Sequence, residues 1–201
     1  MRTNKLFVIL TAFIVLSIVL TSCGGKVKKT YSAPPPMTID QNKTYTATIK
    51  TNFGDIVIQL LPKDAPLAVN NFVFLARQGF YDGIKFHRVV KGFMIQSGDP
   101  QGTVMGGPGY QFADELANTL DYTTGTLAMA NSGSNTNGSQ FFITLADYSK
   151  RLPKLYTIFG KVTGGMDVVQ KIGNVAVKVA NGEASSPTVD VHINTVTIAE
   201  K

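Results

Sequence analysis

Residues 86 to 98, Phe-His-Arg-Val-Val-Lys-Gly-Phe-Met-Ile-Gln-Ser-Gly, hold the side chains best suited to work on a polar ligand. His87, Arg88 and Gln96 stand among two apolar runs, Val89-Val90 and Phe93-Met94-Ile95, that flank a Lys91-Gly92 turn. Alternate side chains of an extended segment share a face, so Arg88, Met94 and Gln96 have the parity to line one concave surface if the turn keeps register. A permanently charged guanidinium beside an apolar pocket is costly to bury without partners. Other chemistries have little material. No Cys follows Cys23, and the two histidines, His87 and His192, lie far apart in sequence, so metal sites built on Cys or paired His are poorly supplied. Ser139 sits in Asn-Gly-Ser-Gln rather than in a nucleophile elbow. The carboxylates are few and scattered, which weakens paired acid–base hydrolysis. Polar and apolar recognition without a nucleophile is what remains.

The elements that must hold these residues read as short strands. Tyr45 to Thr51 alternates, Asn52-Phe53-Gly54-Asp55 signals a turn, and Ile56 to Leu61 resumes, which predicts a hairpin. Asp64 before Pro66 predicts a helix start with a capping carboxylate. Val69, Phe72, Val73 and Ala76 give that helix one apolar face, and Gly79 ends it. Glycine and proline crowd residues 98 to 109 into a long surface loop. Further strands are expected at Leu127–Ala130, Phe141–Leu145, Tyr156–Gly160, Val189–Ile193 and Thr195–Ala199, with a second helix through Met166, Val169 and Ile172. At least seven short strands and two helices, without strand–helix alternation, predict an all-β body: a closed antiparallel β-barrel capped by the helices.

Ahead of this domain the chain changes character. Residues 1–22 read as a secretory signal, with Arg2 and Lys5 before the apolar run Leu6 to Leu20. Fifteen helical residues reach only about 22 Å, short of a hydrocarbon core of about 30 Å. Leu20-Thr21-Ser22-Cys23 resembles the lipobox of bacterial lipoproteins, which implies acylation of Cys23, the single cysteine, and a membrane-anchored, extracytoplasmic location. Residues 23–43, with Gly24-Gly25, four lysines and Pro34-Pro35-Pro36, are expected to form a flexible leash. The folded domain is then 44–201. Removing Arg2 and Lys5 lowers the formal charge from +6 to +4, 17 basic against 13 acidic residues. That is too small and dispersed a charge to argue for nucleic acid.

The run Phe86 to Pro100 resembles the signature of the cyclophilin-type peptidyl-prolyl isomerases. So do Gly79-Phe80-Tyr81-Asp82-Gly83, Met129-Ala130-Asn131-Ser132, Asn135 to Ile143, Phe159-Gly160-Lys161-Val162 and Asp167-Val168-Val169. The likeness covers about residues 44 to 199 in consistent order. It implies an eight-stranded barrel with two capping helices and no metal or organic cofactor. It implies that Arg88 is the catalytic arginine and that Gln96 is the amide that steadies it and contacts substrate. Phe93, Met94 and Phe142 would hold the proline ring, with Leu152 as a further wall. Ala130, Asn131 and Gln140 would bind the flanking peptide backbone. His87 is expected to be structural.

The implied partners are proline-containing peptides and unfolded exported proteins, met by a monomer held to the membrane through Cys23. A proline-peptide binding or chaperone module with little turnover is the rival reading, against which Arg88, Phe93 and Gln96 are all intact. The chain departs from the family where it lacks any tryptophan: the usual one falls at or near Arg151, and a groove histidine near Tyr156. Weak cyclosporin binding is therefore expected.

Overall fold

The structure, a computed structural model, describes residues 29–201; the signal, Cys23 and the first part of the leash lie outside the described residues. Strands β1 (Tyr45–Thr51) and β2 (Gly54–Leu60) form the expected hairpin. Tyr45, Ala47, Ile49, Ile56, Ile58 and Leu60 alternate inward and are buried. Helix α1 (Pro66–Arg77) follows, then β3 (Arg88–Val90), β4 (Met94–Ser97), β5 (Thr126–Met129), β6 (Phe141–Thr144) and β7 (Ile158–Gly164). Helix α2 (Met166–Gly173), a small hairpin of β8 (Val177–Ala180) and β9 (Glu183–Pro187), and β10 (Ile193–Glu200) complete the chain.

The main sheet runs β10-β1-β2-β7-β5-β6-β4-β3, every neighbouring pair antiparallel. It is a curled half-barrel, which corrects the closed barrel expected from the sequence. β3 and β10 are its two edges and do not pair as strands. The seam is crossed by short main-chain bonds, in which Gly83 and Phe86 donate to Ile193 and Val191 and Ile193 donates to Ile84 at 2.7–2.9 Å, and by the Lys85–Asp190 ion pair at 2.9 Å. The physical reason is the length of β3. It has three residues, and the Gly79–Gly83 turns just before it carry the chain off the ladder, so β10 finds no full-length partner. The last stretch also forms one strand rather than two, since before Ile193 only a single bridge, Lys85 to His192, is made.

α1 lies against β10 and β7, and α2 against β2, β3 and β4. The apolar face of α1 buries Val69, Phe72, Val73 and Ala76, as its spacing predicts. Phe72 packs against Tyr81, Phe141 and Phe159 with ring centroids 5.0–5.7 Å apart, so helix and sheet share an aromatic core. Asp64 does not cap this helix. Its N-cap position is Ala65, and no side chain of its own segment caps it. Glu115, from a loop almost fifty residues on, accepts hydrogen bonds from the Leu67 and Ala68 backbone N–H groups, both at 2.9 Å.

Residues 29–43, expected to be leash, lie on the domain instead. The Tyr31 ring meets Phe74 edge-on at 5.1 Å, its N–H donates to the Pro108 carbonyl, and Ile39 enters the core. Asn70, buried on α1, grips the segment with both ends of its amide. Oδ1 accepts from Thr38 N–H at 2.9 Å, and Nδ2 donates to the Pro36 carbonyl at 3.0 Å. A proline offers a carbonyl but no N–H, so an amide donor suits it. Among the described residues no helix is long and apolar enough to cross a membrane.

Losing the Glu115 carboxylate should cost the helix cap, about 1 kcal/mol, seen as a fall in Tm of roughly 2–4 °C for a chain of this size. Glu115→Ala and Asp64→Ala, compared by thermal and urea unfolding, separate the two caps. Asp64→Ala should stay within about 0.5 kcal/mol of wild type, and equal losses would return the cap to Asp64.

Candidate active site

The β3–β4 hairpin carries the site, and its register settles which face each side chain takes. Arg88 pairs with Gln96, Val89 with Ile95 and Val90 with Met94, across a turn in which Gly92 has φ 72°. Directly opposed residues of an antiparallel pair share a face, so the turn does keep the parity of Arg88, Met94 and Gln96. The ladder continues through Gln96 to Phe142 on β6, Phe142 to Ala128 on β5, and Ala128 to Ile158 on β7. Met94, Phe142, Ala128 and Ile158 form a small apolar cluster on this face. Val89, Ile95, Ile143 and Leu127 belong to the main core on the other.

A loop rich in aromatics covers part of the outer cluster. Tyr148 stacks on Phe93 with centroids 4.6 Å apart, and Tyr156 meets Phe142 edge-on at 5.4 Å. What remains open is a cleft of about 710 Å³ lined by Arg88, Phe93, Met94, Gln96, Ala130, Asn131, Phe142 and Leu152, all expected site residues. Gln140 lies in an adjoining hollow that shares Gln96 and Asn131 with the cleft and also includes Thr30 of the N-terminal segment. The Asn131 amide donates to the Leu155 carbonyl at 2.8 Å, so it braces the aromatic loop as well as lining the cleft.

A chain of amides holds one corner of the Arg88 guanidinium. Its Nη1 donates to Gln96 Oε1 at 3.1 Å, and Gln96 Nε2 donates to Gln140 Oε1 at 2.9 Å. Gln140 Nε2 in turn donates to the carbonyls of Val104 at 3.0 Å and Gly106 at 2.9 Å. Asp99 holds those carbonyls in place, since its carboxylate accepts from the N–H groups of Gln101, Thr103 and Gly106. Burial alone would raise the Asp99 pKa, but these three donors bring it below the ordinary carboxylate value. Gly106 is required where it stands, for a Cβ there would come within 1.9 Å of Asp99 Oδ1. Val104 sits at φ 66°, a strained conformation for a β-branched residue, and it lines both cavities.

His87 also borders the cleft. Burial, with Arg88 beside it, holds its pKa below the usual histidine value against the opposite pull of Asp99 and of the Lys85 backbone. It is neutral at neutral pH. Among the described residues no three His, Cys, Asp or Glu side chains converge on one point.

One part of the cleft lining went unread in the sequence. It is the β8–β9 hairpin, whose Ala180, Asn181, Glu183, Ser185 and Ser186 line the cleft. Its turn is Asn181-Gly182, with φ 51° and 80°. Both values are positive, as in the two-residue turns that Asn-Gly favours. That dipeptide between Val177, Val179 and Ala184 was the available signal. Glu183 Oε2 and Oε1 accept from Arg88 Nε and Nη2 at 2.7 and 2.9 Å.

A cluster of this kind offers a cationic donor at the rim of a cleft with apolar walls. The sequence pattern of the family described as "Cyclophilin type peptidyl-prolyl cis-trans isomerase/CLD" matches residues 46–198. The chain is 45% identical to the peptidyl-prolyl cis-trans isomerase CYP18-1 of Arabidopsis thaliana, covering 76% of this chain and 95% of that one. It is 49% identical to a peptidyl-prolyl cis-trans isomerase of Helicobacter pylori, covering 65% and 81%. It also shares 49% identity with peptidylprolyl isomerase domain and WD repeat-containing protein 1 of Mus musculus, of which it spans only 24%. The crystal structure of a Cryptosporidium parvum cyclophilin type peptidyl-prolyl cis-trans isomerase superposes with a TM-score of 0.72 at 36% identity, over 79% of this chain and 99% of the other. The same protein solved in the presence of the dipeptide Ala-Pro gives 0.71. By sequence pattern, by whole-domain identity and by fold, the chain belongs to the cyclophilin-type peptidyl-prolyl cis-trans isomerases.

Proposed function

We propose that this chain accelerates cis–trans rotation about X-Pro bonds, with Arg88 as the electrostatic catalyst, and that it does so for exported proteins at an extracytoplasmic membrane surface. One observation carries the chemistry: a guanidinium held on its sheet by Gln96 borders a cleft walled by Phe93, Met94, Phe142 and Leu152.

Resonance in the amide sets a rotation barrier of about 18–20 kcal/mol. No covalent bond to the protein is needed to lower it. An N–H donor aimed at the prolyl nitrogen favours the pyramidal form, in which the lone pair has left the carbonyl and rotation is free. The proline ring fits the apolar pocket, where exclusion of water strengthens the donor. Uncatalysed exchange takes tens to hundreds of seconds. Shortening it to a millisecond requires lowering the barrier by roughly 7 kcal/mol. One placed donor supplies about 3–4 kcal/mol, and holding the peptide twisted between the proline pocket and the groove of Ala130, Asn131 and Gln140 supplies the rest.

Arg88→Ala should lower kcat/KM on a proline tetrapeptide about a hundredfold or more, with the unfolding midpoint unchanged. Retained peptide binding with full loss of turnover would place the donor in the chemical step, whereas undiminished turnover would remove Arg88 from the mechanism and favour a plain proline-binding module.

Cyclosporin should bind weakly. Arg151, near the family's tryptophan position, lies over the Tyr148 ring at 5.9 Å, and Tyr148 itself covers Phe93. A hydrated guanidinium there replaces an indole that offers apolar area and an N–H donor, a loss of about 2–4 kcal/mol, or roughly thirtyfold to a thousandfold in affinity. Titrating the drug against activity should show weak inhibition that improves in Arg151→Trp, and near-stoichiometric inhibition of the wild type would refute this. The location rests on Cys23: fractionation of Cys23→Ala should find the protein released from membranes or left as an uncleaved precursor, and normal attachment of a processed variant would exclude acylation.

A further inference from the structure

Arg88 has five N–H donors in one plane. Three are occupied, one by Gln96 and two by Glu183, so that two remain, one on each Nη nitrogen. Glu183 is the first residue of β9, directly after the Asn181-Gly182 turn, and β9 lies beside β3. The carboxylate meets the guanidinium along its Nε–Nη2 edge with two short, parallel bonds, the strongest and most directional geometry available to this pair. The Gln96 bond, by contrast, is single and longer at 3.1 Å.

These facts bear on a long, flexible side chain. One hydrogen bond at Nη1 leaves the guanidinium free to swivel about that contact. Two more at the opposite edge fix its plane. The pair contributes little to folding, since both side chains are about a third or more exposed, Arg88 at 32% and Glu183 at 40%, and ion pairs so exposed have small effects on stability. Its value lies in aim. We propose that Glu183 is a positioning residue for the isomerase reaction: it locks Arg88 so that its two remaining N–H groups face the prolyl peptide, and the β8–β9 hairpin exists at the cleft to bring it there.

The assignment rests on the reading of Arg88 as the catalytic donor and adds a second requirement to it. The Arg88 guanidinium also holds the Glu183 carboxyl below the usual carboxylate range, against its modest burial, so the clamp is ionised at neutral pH. An approaching peptide then has no need to displace Glu183, because the donors it uses are the unoccupied ones. Nor does the carboxylate touch the reacting bond; it acts only through the arginine.

The test measures kcat and KM separately on a proline tetrapeptide, for the full chain and for Glu183→Gln, Glu183→Ala, Arg88→Ala and the double variant Arg88→Ala/Glu183→Ala. Misaiming a catalytic group by about 1 Å can cost up to a hundredfold, and Gln96 still holds one corner, so both Glu183 variants should lose about tenfold in kcat. KM should stay within about twofold, and Tm should not move. In the Arg88→Ala background, Glu183→Ala should change nothing further, because the group it positions is gone. The Arg88 Nε–H signal in 1H–15N spectra, shifted and protected by the carboxylate in wild type, should move and exchange faster in Glu183→Gln. This measurement stands even if Glu183→Ala folds poorly. Unchanged or increased kcat in Glu183→Gln, with Arg88→Ala inactive, would overturn the positioning role while leaving Arg88 as the donor. An equal loss in both backgrounds would make Glu183 a structural residue of the hairpin. Full activity in Arg88→Ala would overturn the donor reading and the clamp together.

Discussion

The direction of one hydrogen-bond chain governs the site. A guanidinium can only donate, and a backbone carbonyl can only accept. Between Arg88 and the carbonyls of Val104 and Gly106 stand two amides, Gln96 and Gln140, each able to turn either way in isolation. With a pure donor at one end and pure acceptors at the other, a single orientation satisfies both amides. The chain therefore couples the position of Arg88 to the shape of the loop at Val104–Gly106, which also borders the cleft. That loop is in turn set by Asp99 and carries its strain at Val104. This network is half-buried, and where polar groups leave water they are costly if half-satisfied and rigid if complete.

The sheet makes this arrangement possible by having two apolar faces with different uses. Along β4, β5 and β6 every residue is buried, the polar Gln96, Ser97, Thr126 and Thr144 included. The inner face meets α1 and the main core. The outer face would be a liability if left bare. Here the aromatic loop covers part of it, and the uncovered part is the cleft. The cleft thus opens where packing stops short, with Tyr148 and Tyr156 marking the limit of the cover.

Legibility followed the same division. Arg88, Met94 and Gln96 could be read together because they fall in one hairpin, where parity assigns a face; Phe93 and Phe142 were legible only through the family resemblance. The partner that completes Arg88, Glu183, lies 95 positions away. Nothing in a carboxylate's own neighbourhood says which cation it will meet, although Asn181-Gly182 announced the hairpin that carries it. The helix cap shows the same difficulty. Asp64 was the local candidate, and a tertiary one, Glu115, took the place. Barrel closure depended on something composition does not report, the three-residue length of β3.

The N-terminal segment misled for a different reason. Residues 29–43 are poor in apolar side chains and rich in proline, the composition of a chain that cannot fold by itself. What orders them is supplied from outside, by Asn70 and by the ring of Phe74 on α1. This shifts the boundary of the cooperative unit. The family pattern begins at residue 46, yet trimming the chain there would strip Asn70 of its proline and threonine partners, uncover Phe74, and remove Ile39 from the core and Thr30 from the edge of the second hollow. A domain excised on sequence homology would therefore start fifteen or so residues too late and would carry an orphaned amide on the helix that the sheet packs against. The evolutionary domain and the physical one do not share an N-terminus.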